Sequence, residues 1–186
     1  MLLARGADVN ARTDDGSTPL HWGGGGARAA FLVNSLLAAG ADVNATNALG
    51  RTPLFTAVQE GQGIVAAALL TNGASVNIHD AAGMTPLHCV PIVGRFENVQ
   101  DKCGITELLL DFGADINARD ANGWTVLHWA AEYSHRFWDS RVNDAVRLLV
   151  KRGGDLNAKD NHGITPLEWG SEEWAKEWAR TLAGPK

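Results

Sequence analysis

The chain has 186 residues, of which 45% are hydrophobic and 20% are charged, a composition that is ordinary for a folded protein. It contains no run of about 18 apolar residues, and charge arrives early at Arg5 and Asp8, so the sequence predicts neither a membrane-spanning helix nor a secretory signal. Two cysteines argue against a disulfide framework, and a net charge of −5 argues against a nucleic-acid backbone as the partner. We expect an intracellular protein, in the cytoplasm, that binds neither nucleic acid nor membrane.

Three short strings recur along the chain. A tetrapeptide of the type Thr-Pro-Leu-His begins at Thr18, Thr52, Thr85, Thr125 and Thr165, with spacings of 34, 33, 40 and 40 residues. A string of the type Gly-Ala-Asp-Val-Asn begins at Gly6, Gly40, Gly73, Gly113 and Gly153. A further glycine stands two residues before each threonine, at Gly16, Gly50, Gly83, Gly123 and Gly163. Such self-similarity indicates a repeat architecture.

Each string has a local structural meaning. The threonine is a suitable helix N-cap, and the proline after it suits the first helical turn. The glycine of the second string predicts a left-handed residue at the end of a second helix. The glycine before each threonine predicts a tight turn, here called a finger. One apolar helical stripe is predicted at Ile105, Leu108, Leu109 and Phe112.

These strings resemble the ankyrin repeat, which has a period of about 33 residues and a Thr-Pro-Leu-His start. The resemblance covers nearly the whole chain and implies an all-α fold with short β-turn fingers, that is, an ankyrin-type helical repeat solenoid. On this pattern the chain is a single ankyrin-repeat domain, 1–186. Its start inside a repeat favours a truncated longer array or an upstream partner, and the alternative is that the first half-repeat is a minimal cap. Its predicted parts are a partial repeat 1–12, repeats 13–46, 47–79, 80–119 and 120–159, and a C-terminal capping repeat 160–186.

Two repeats carry about seven residues more than the usual period. The additions include 94–102 and 134–141, and we expect both between the first and second helix of their repeats. Insertions in repeat proteins often map to the binding face. The alternative is that these residues only lengthen helices and pack on each other.

A histidine stands at the fourth position of the Thr-Pro-Leu-His string in three of its five copies, at His21, His88 and His128. Packed helices lie about 8–10 Å apart whereas zinc–nitrogen bonds are about 2 Å, so these histidines do not predict a shared metal ion. In ankyrin-like repeats this histidine is structural, its ring bonding to the backbone of a neighbouring turn. The residues after this position are predicted in the core: Trp22, Cys89, Trp129 and Trp169.

The resemblance also implies where a partner binds, because ankyrin-like proteins usually bind through the finger tips and inner helices, together the concave face. Apolar side chains at Leu49, Met84, Trp124 and Ile164 predict a contact surface, unless some fold back onto the adjacent finger. The predicted partner-binding residues are Leu49, Arg51, Met84, Trp124, Glu132, Tyr133, Arg136, Phe137, Trp138, His162 and Ile164. Trp124→Ala is expected to weaken partner binding by about 2 kcal/mol or more while helicity is retained.

The favoured function is a non-catalytic protein–protein interaction module with a protein partner, no cofactor, no metal and no catalytic residue, since no nucleophile or phosphate-loop motif occurs. The alternative is a small-molecule-binding protein or enzyme that uses a tryptophan-rich concave pocket rimmed by the insertions. A third hypothesis is that the chain is a substrate of asparagine hydroxylases, as some ankyrin-like proteins are. The relevant asparagines, which we otherwise expect to stabilise hairpin turns, are Asn44, Asn77, Asn117 and Asn157.

Overall fold

The structure is a computed structural model that describes residues 6–23, 28–90, 99–136, 140–170 and 176. All regular secondary structure in those ranges is helical, which confirms the predicted all-α class. The elements are a 3₁₀ turn Pro19–Trp22 and helices α1 Ala29–Ala38, α2 Pro53–Gln59, α3 Gly63–Thr71, α4 Pro86–Cys89, α5 Val99–Asp111, α6 Val126–Arg136, α7 Ser140–Lys151 and α8 Pro166–Trp169. The chain divides into two compact units, Met1–Pro86 and Leu87–Lys186.

The recurrent threonine and proline start helices as predicted. The Thr52 hydroxyl accepts a hydrogen bond from the backbone N–H of Phe55 at 3.2 Å, and Pro53 is the first residue of α2. Thr165 accepts from the N–H of Glu168 at 3.4 Å, and the Glu168 carboxylate accepts from the N–H of Thr165 at 2.7 Å. This reciprocal pair satisfies N–H groups that the helix itself leaves without a partner.

Both recurrent glycine positions require the left-handed backbone. Gly40, after α1, has φ of +89°, and Gly50, in the next finger, has φ of +73°. A side chain is costly in this conformation, so glycine is needed there. The equivalent glycines share the positive φ, namely Gly73, Gly113 and Gly153 after helices, Gly6 at the start of the first string, and Gly16, Gly83, Gly123 and Gly163 in the fingers.

The asparagine that ends the Gly-Ala-Asp-Val-Asn string links one hairpin turn to the next at Asn10, Asn44 and Asn117. Asn10 donates its amide N–H to the carbonyl of Gly40 at 3.0 Å and accepts from the N–H of Asp42 at 2.9 Å. Asn117 accepts in the same way from the N–H of Asp155 at 2.9 Å. The predicted role in stabilising turns is therefore confirmed for Asn117 and for Asn44, which accepts from the N–H of Ser75 at 2.8 Å.

In the first unit, α3 packs against α2 and α1, and the 3₁₀ turn packs against α1 and α2. The apolar faces of these elements form the core, in which Leu20, Val33, Leu54, Val65 and Leu69 are buried. Each helix pair is short, so it must cover its apolar face with a neighbouring pair.

In the second unit, α5 packs against α7, and α6 packs against α7 and α8. The stripe predicted on α5 is confirmed at Ile105 and Leu109, which are 2% and 0% exposed. The prediction is wrong for Phe112, which is 43% exposed. Helix α5 ends at Asp111. Phe112 therefore lies in the following turn, where the helical period no longer sets the direction of a side chain.

The described parts of the two insertions lengthen helices. Residues 99–102 belong to α5, and residues 134–136 and 140–141 belong to α6 and α7. Helix α6 consequently has 11 residues where its counterpart α2 has 7. The remaining inserted residues, including Phe137 and Trp138, lie outside the described part of the chain, as do residues 1–5 and most of the predicted cap beyond Gly170.

The core prediction is confirmed for Cys89, which is 5% exposed, but it is wrong for Trp22, which is 65% exposed. At the position equivalent to Trp22, Trp129 donates its indole N–H to the carboxylate of Asp120 at 3.0 Å. The residue that corresponds to Asp120 in the finger before Trp22 is Thr13, whose hydroxyl donates to Asp15. Thr13 has no carboxylate with which to hold an indole inward, which explains the different position of Trp22.

Candidate functional site

Three tryptophans of the second unit form one aromatic cluster, here called the tryptophan cluster. Trp124 lies in the finger before α6, Trp129 lies in α6, and Trp169 ends α8. The ring of Trp124 lies 4.9 Å from that of Trp129 and 4.8 Å from that of Trp169, centroid to centroid, with interplanar angles of 69° and 62°. Edge-to-face pairs of this kind are favourable beyond the area that they bury. All three side chains remain partly exposed.

Two buried aspartates anchor the cluster. Asp120 accepts the indole N–H of Trp129 at 3.0 Å. One oxygen of Asp160, Oδ2, accepts the indole N–H of Trp169 at 3.0 Å and that of Trp124 at 3.1 Å. Hydrogen bonds to an ionised acceptor are stronger than neutral ones, so each indole is held in one orientation.

The finger itself orients these carboxylates. The other oxygen of Asp160, Oδ1, accepts backbone N–H groups from His162 at 2.8 Å and from Ile164 at 2.9 Å. An aspartate that bonds to its own turn in this way is a common feature of tight turns. One oxygen therefore closes the finger while the second points to the tryptophans.

The acidity of Asp160 reflects this environment. Burial raises the pKa of its carboxyl group, but hydrogen bonds from Trp169, from the backbone of Ile164 and His162, and from Trp124 outweigh burial and lower the pKa to about 2. Asp160 is consequently an anion at neutral pH.

His128 lies beside the cluster in a neutral form. Its ring stacks on Trp124 at 6.3 Å between centroids with an interplanar angle of 18°. Nδ1 accepts the backbone N–H of Thr125 at 3.0 Å, so the ring proton is on Nε2, which donates to the carbonyl of Ile164 at 3.1 Å. Burial lowers the pKa of His128, although the bond to Ile164 opposes that effect.

The same pattern recurs at the other two histidines. Nε2 of His21 bonds to the carbonyl of Arg51 at 2.9 Å, and Nε2 of His88 bonds to the carbonyls of Ala118 and Trp124, both at 3.1 Å. The predicted structural role of the repeated histidine is therefore confirmed in its geometry.

The other predicted site residues of the second unit flank the cluster. His162 is exposed and Ile164 is partly exposed in the finger before α8. Glu132 and Tyr133 are partly exposed on α6, three and four residues after Trp129, and therefore lie on the same side of that helix. Arg136 is part of α6, but its side chain, like all of Phe137 and Trp138, lies outside what the structure describes.

In the first unit, Leu49 and Arg51 belong to the finger before α2. Leu49 is 54% exposed. The Arg51 guanidinium donates to Asp80 at 3.2 Å and to Gln59 at 3.0 Å, and it lies 4.9 Å above the ring of Phe55. Arg51 is thus a fixed side chain that keeps 26% of its surface exposed.

The expected exposure of Met84 at a finger tip is wrong, because Met84 is only 9% exposed. Its backbone N–H donates to the carboxylate of Asp80 at 3.0 Å, which fixes the turn. Met84 stands just before its repeat's threonine, where Trp124 and Ile164 are also partly covered. The position before the threonine therefore faces the repeat more than it faces the solvent.

Sequence reasoning missed four residues of this site, namely Asp120, Asp160, Trp129 and Trp169. The core prediction is wrong for both tryptophans, which directly follow the histidine position and remain partly exposed. The sequence carries one signal of this site. In the same two repeats, an aspartate stands five residues before the threonine and a tryptophan stands four residues after it.

Among the described residues, no three His, Cys, Asp or Glu side chains are grouped so that they could hold a metal ion. Within the same ranges, no helix is both long and apolar enough to cross a membrane.

No curated protein that was compared with the chain matches it. The family model for ankyrin repeats, which holds three copies of the repeat, matches residues 27–101 and residues 98–185. These two matches span most of the chain, and they agree with the helix pairs and fingers described above. Repeats of this kind are generally protein–protein interaction modules and are typically non-enzymatic. The chain belongs to the ankyrin repeat family.

Proposed function

We propose that the chain is a non-catalytic binding module that holds a protein partner on the face formed by its finger tips and inner helices. In the second unit this face includes the tryptophan cluster, Glu132 and Tyr133 on α6, and His162 and Ile164 in the following finger. The observation that carries the proposal is that three large aromatic side chains remain partly exposed while their N–H groups are fixed on buried carboxylates.

The energetic argument is preorganisation. Tryptophan and tyrosine are among the residues that contribute most to protein interfaces. A side chain that is already fixed loses little rotamer freedom on binding, where a free one costs about 0.5–1.5 kcal/mol. The hydrogen bonds of Trp124 and Trp169 to Asp160 provide this fixation before any partner arrives.

In the first unit we propose Leu49 and Arg51 as contact residues. Leu49 offers exposed apolar surface, and its carbonyl accepts the N–H of Ala81 at 2.8 Å, which holds the finger in place. Arg51 offers a guanidinium that its bonds to Asp80 and Gln59 fix in advance. Fixed arginines are, with tryptophan and tyrosine, the residue types enriched at interface hot spots.

The test is an affinity measurement with a partner first captured on the full chain and then purified. Replacing Glu132 and Tyr133 together by alanine should reduce affinity by about 2 kcal/mol, because both side chains lie on the proposed face beside Trp129. The matched control is Lys151→Ala, an exposed residue at the end of the outer helix α7, which should leave affinity unchanged. Equal losses in the two variants, or none in the first, would contradict the proposal.

A further inference from the structure

The tryptophan cluster has the composition of a cation-binding cage. The planes of Trp129 and Trp169 each stand at more than 60° to the plane of Trp124, and both rings are within 5 Å of it. Their partial exposure leaves aromatic surface open to a ligand. Aromatic faces attract cations because the ring quadrupole makes the face negative, and tryptophan gives the strongest attraction.

The hydrogen bonds behind the rings strengthen this attraction. Each indole N–H donates to a carboxylate, either Asp120 or Asp160, at 3.0–3.1 Å. An anion that accepts the N–H pushes electron density into the ring and makes its outer face more negative. Because both aspartates are buried, they attract a cation through their electrostatic field and through the indole rings. The ring faces make the direct contact with the cation.

The surrounding charges also favour a cation. Glu132 follows Trp129 by one helical turn on α6 and is partly exposed on the same side. His128, which stacks on Trp124, is neutral in the tautomer that its hydrogen bonds fix. One described cation, Arg119, lies near enough to lower the pKa of His128, and the carboxylates of Asp160 and Asp120 oppose its effect there.

From these observations we propose that the tryptophan cluster is an aromatic cage for a methylated ammonium group, carried by a di- or trimethylated lysine side chain of the protein partner. This inference rests on the proposed protein-binding function and specifies the chemistry that the face recognises. An unmodified lysine ammonium is compact and strongly hydrated, so its transfer to indole faces is costly. Methyl groups spread the charge and give up water more easily, and they make apolar contact with the rings.

The first experiment titrates the full chain with N-acetyl-trimethyllysine amide and follows the indole N–H resonances by NMR. The signals of the three cluster tryptophans should shift, while that of exposed Trp22 should stay in place. Two further probes separate the contributions: the neutral analogue with carbon in place of the ammonium nitrogen keeps the shape without the charge, and unmodified N-acetyl-lysine amide keeps the charge without the methyl groups. Both probes should bind at least about tenfold more weakly than the trimethyllysine amide.

The second experiment uses substitutions. Trp169→Ala should weaken trimethyllysine binding about tenfold or more, and Trp169→Phe, which keeps an aromatic face, should recover part of that loss. Trp22→Ala is the matched control and should have no effect. Equal binding of the neutral analogue, or full affinity in a folded Trp169→Ala variant, would overturn the cage. A purified partner that still binds the face but is indifferent to lysine methylation would refute the cage and leave the proposed function intact.

Discussion

The indole N–H of Trp124 donates a 3.1 Å hydrogen bond to Oδ2 of Asp160, a residue 36 positions later in the chain. In the first unit, Nε of Arg51 donates to Oδ2 of Asp80 at 3.2 Å, and the two residues are 29 positions apart. Arg51 and Trp124 both stand directly before the threonine of their repeats. A donor at this position thus links its finger to the aspartate of the next one, whether it is a guanidinium or an indole.

Trp124→Phe isolates the contribution of this bond, because phenylalanine keeps a ring but lacks the indole N–H. We expect the free energy of unfolding to fall by about 1.5–3 kcal/mol, the range for hydrogen bonds to charged groups. Chemical denaturation followed by circular dichroism measures this change. Trp22→Phe is the control and should change stability by less than about 0.5 kcal/mol, since Trp22 is mostly exposed.

Asp160 should make stability depend on pH in the acid range. Its folded pKa of about 2 lies below the ordinary value of 3.8, so the unfolded chain binds more protons between these values. The stabilisation is therefore complete above the ordinary value and is lost as pH falls through the folded one. Thermal unfolding measured from pH 5 to pH 2 should show this loss.

Asp160→Asn is a suitable variant, because an asparagine already occupies the equivalent position in the first unit. There Asn47 accepts the N–H groups of Leu49 and Arg51 at 3.0 and 3.1 Å. The turn should consequently survive at residue 160, while the anionic acceptor for the indoles is lost. An acid dependence as steep as that of the unsubstituted chain would show that Asp160 is not its source.

His128 should contribute a second pH dependence at milder acidity. Burial lowers its folded pKa below the ordinary value of 6.5, so the unfolded chain takes up the proton first as pH falls. The stabilisation is present above pH 6.5 and is lost as pH falls through the folded pKa. His128→Gln should lower stability at pH 7 by about 1–3 kcal/mol, since it breaks buried hydrogen bonds. The variant should also lose less stability than the parent between pH 7 and pH 5.

The two glycine positions differ in how much room surrounds them. A Cβ atom at Gly50 would lie 3.1 Å from the backbone nitrogen of Ala81, whereas one at Gly40 would meet nothing within 4 Å. Both have positive φ, so alanine at either position costs about 1–2 kcal/mol in backbone strain. We expect Gly50→Ala to destabilise the chain more than Gly40→Ala in thermal unfolding. The reverse order would mean that the close approach of the fingers is unimportant.

The fold followed from the sequence because its signals are local and repeated. Thr52 and Pro53 start a helix through the geometry of one turn, and Gly40 ends one through its own backbone. Repetition then made each local signal hard to mistake. The repeated histidine was predictable for the same reason, since His21 and His128 make equivalent bonds.

The site was harder to predict because it depends on contacts between repeats. The indole of Trp124 bonds to Asp160 of the next finger. Trp129 and Trp22 occupy equivalent positions, but Trp129 bonds to Asp120 of its own finger, where the repeat of Trp22 has Thr13 and leaves Trp22 exposed. Hydrophobicity alone predicts the same degree of burial for Trp129 and Trp22. The sequence likewise does not show that Met84, which directly precedes its threonine, is buried.

The most direct test of the account places a photo-crosslinking amino acid, p-benzoylphenylalanine, at His162 or at Lys151 of the full chain. Both residues are exposed, the first in a finger and the second on outer helix α7. If the finger face holds the partner, a protein crosslinks from position 162 and not from 151, and the purified partner binds the unsubstituted chain in solution. Crosslinking from 151 alone, by a partner whose affinity is unchanged when Glu132 and Tyr133 are replaced, would contradict binding on that face.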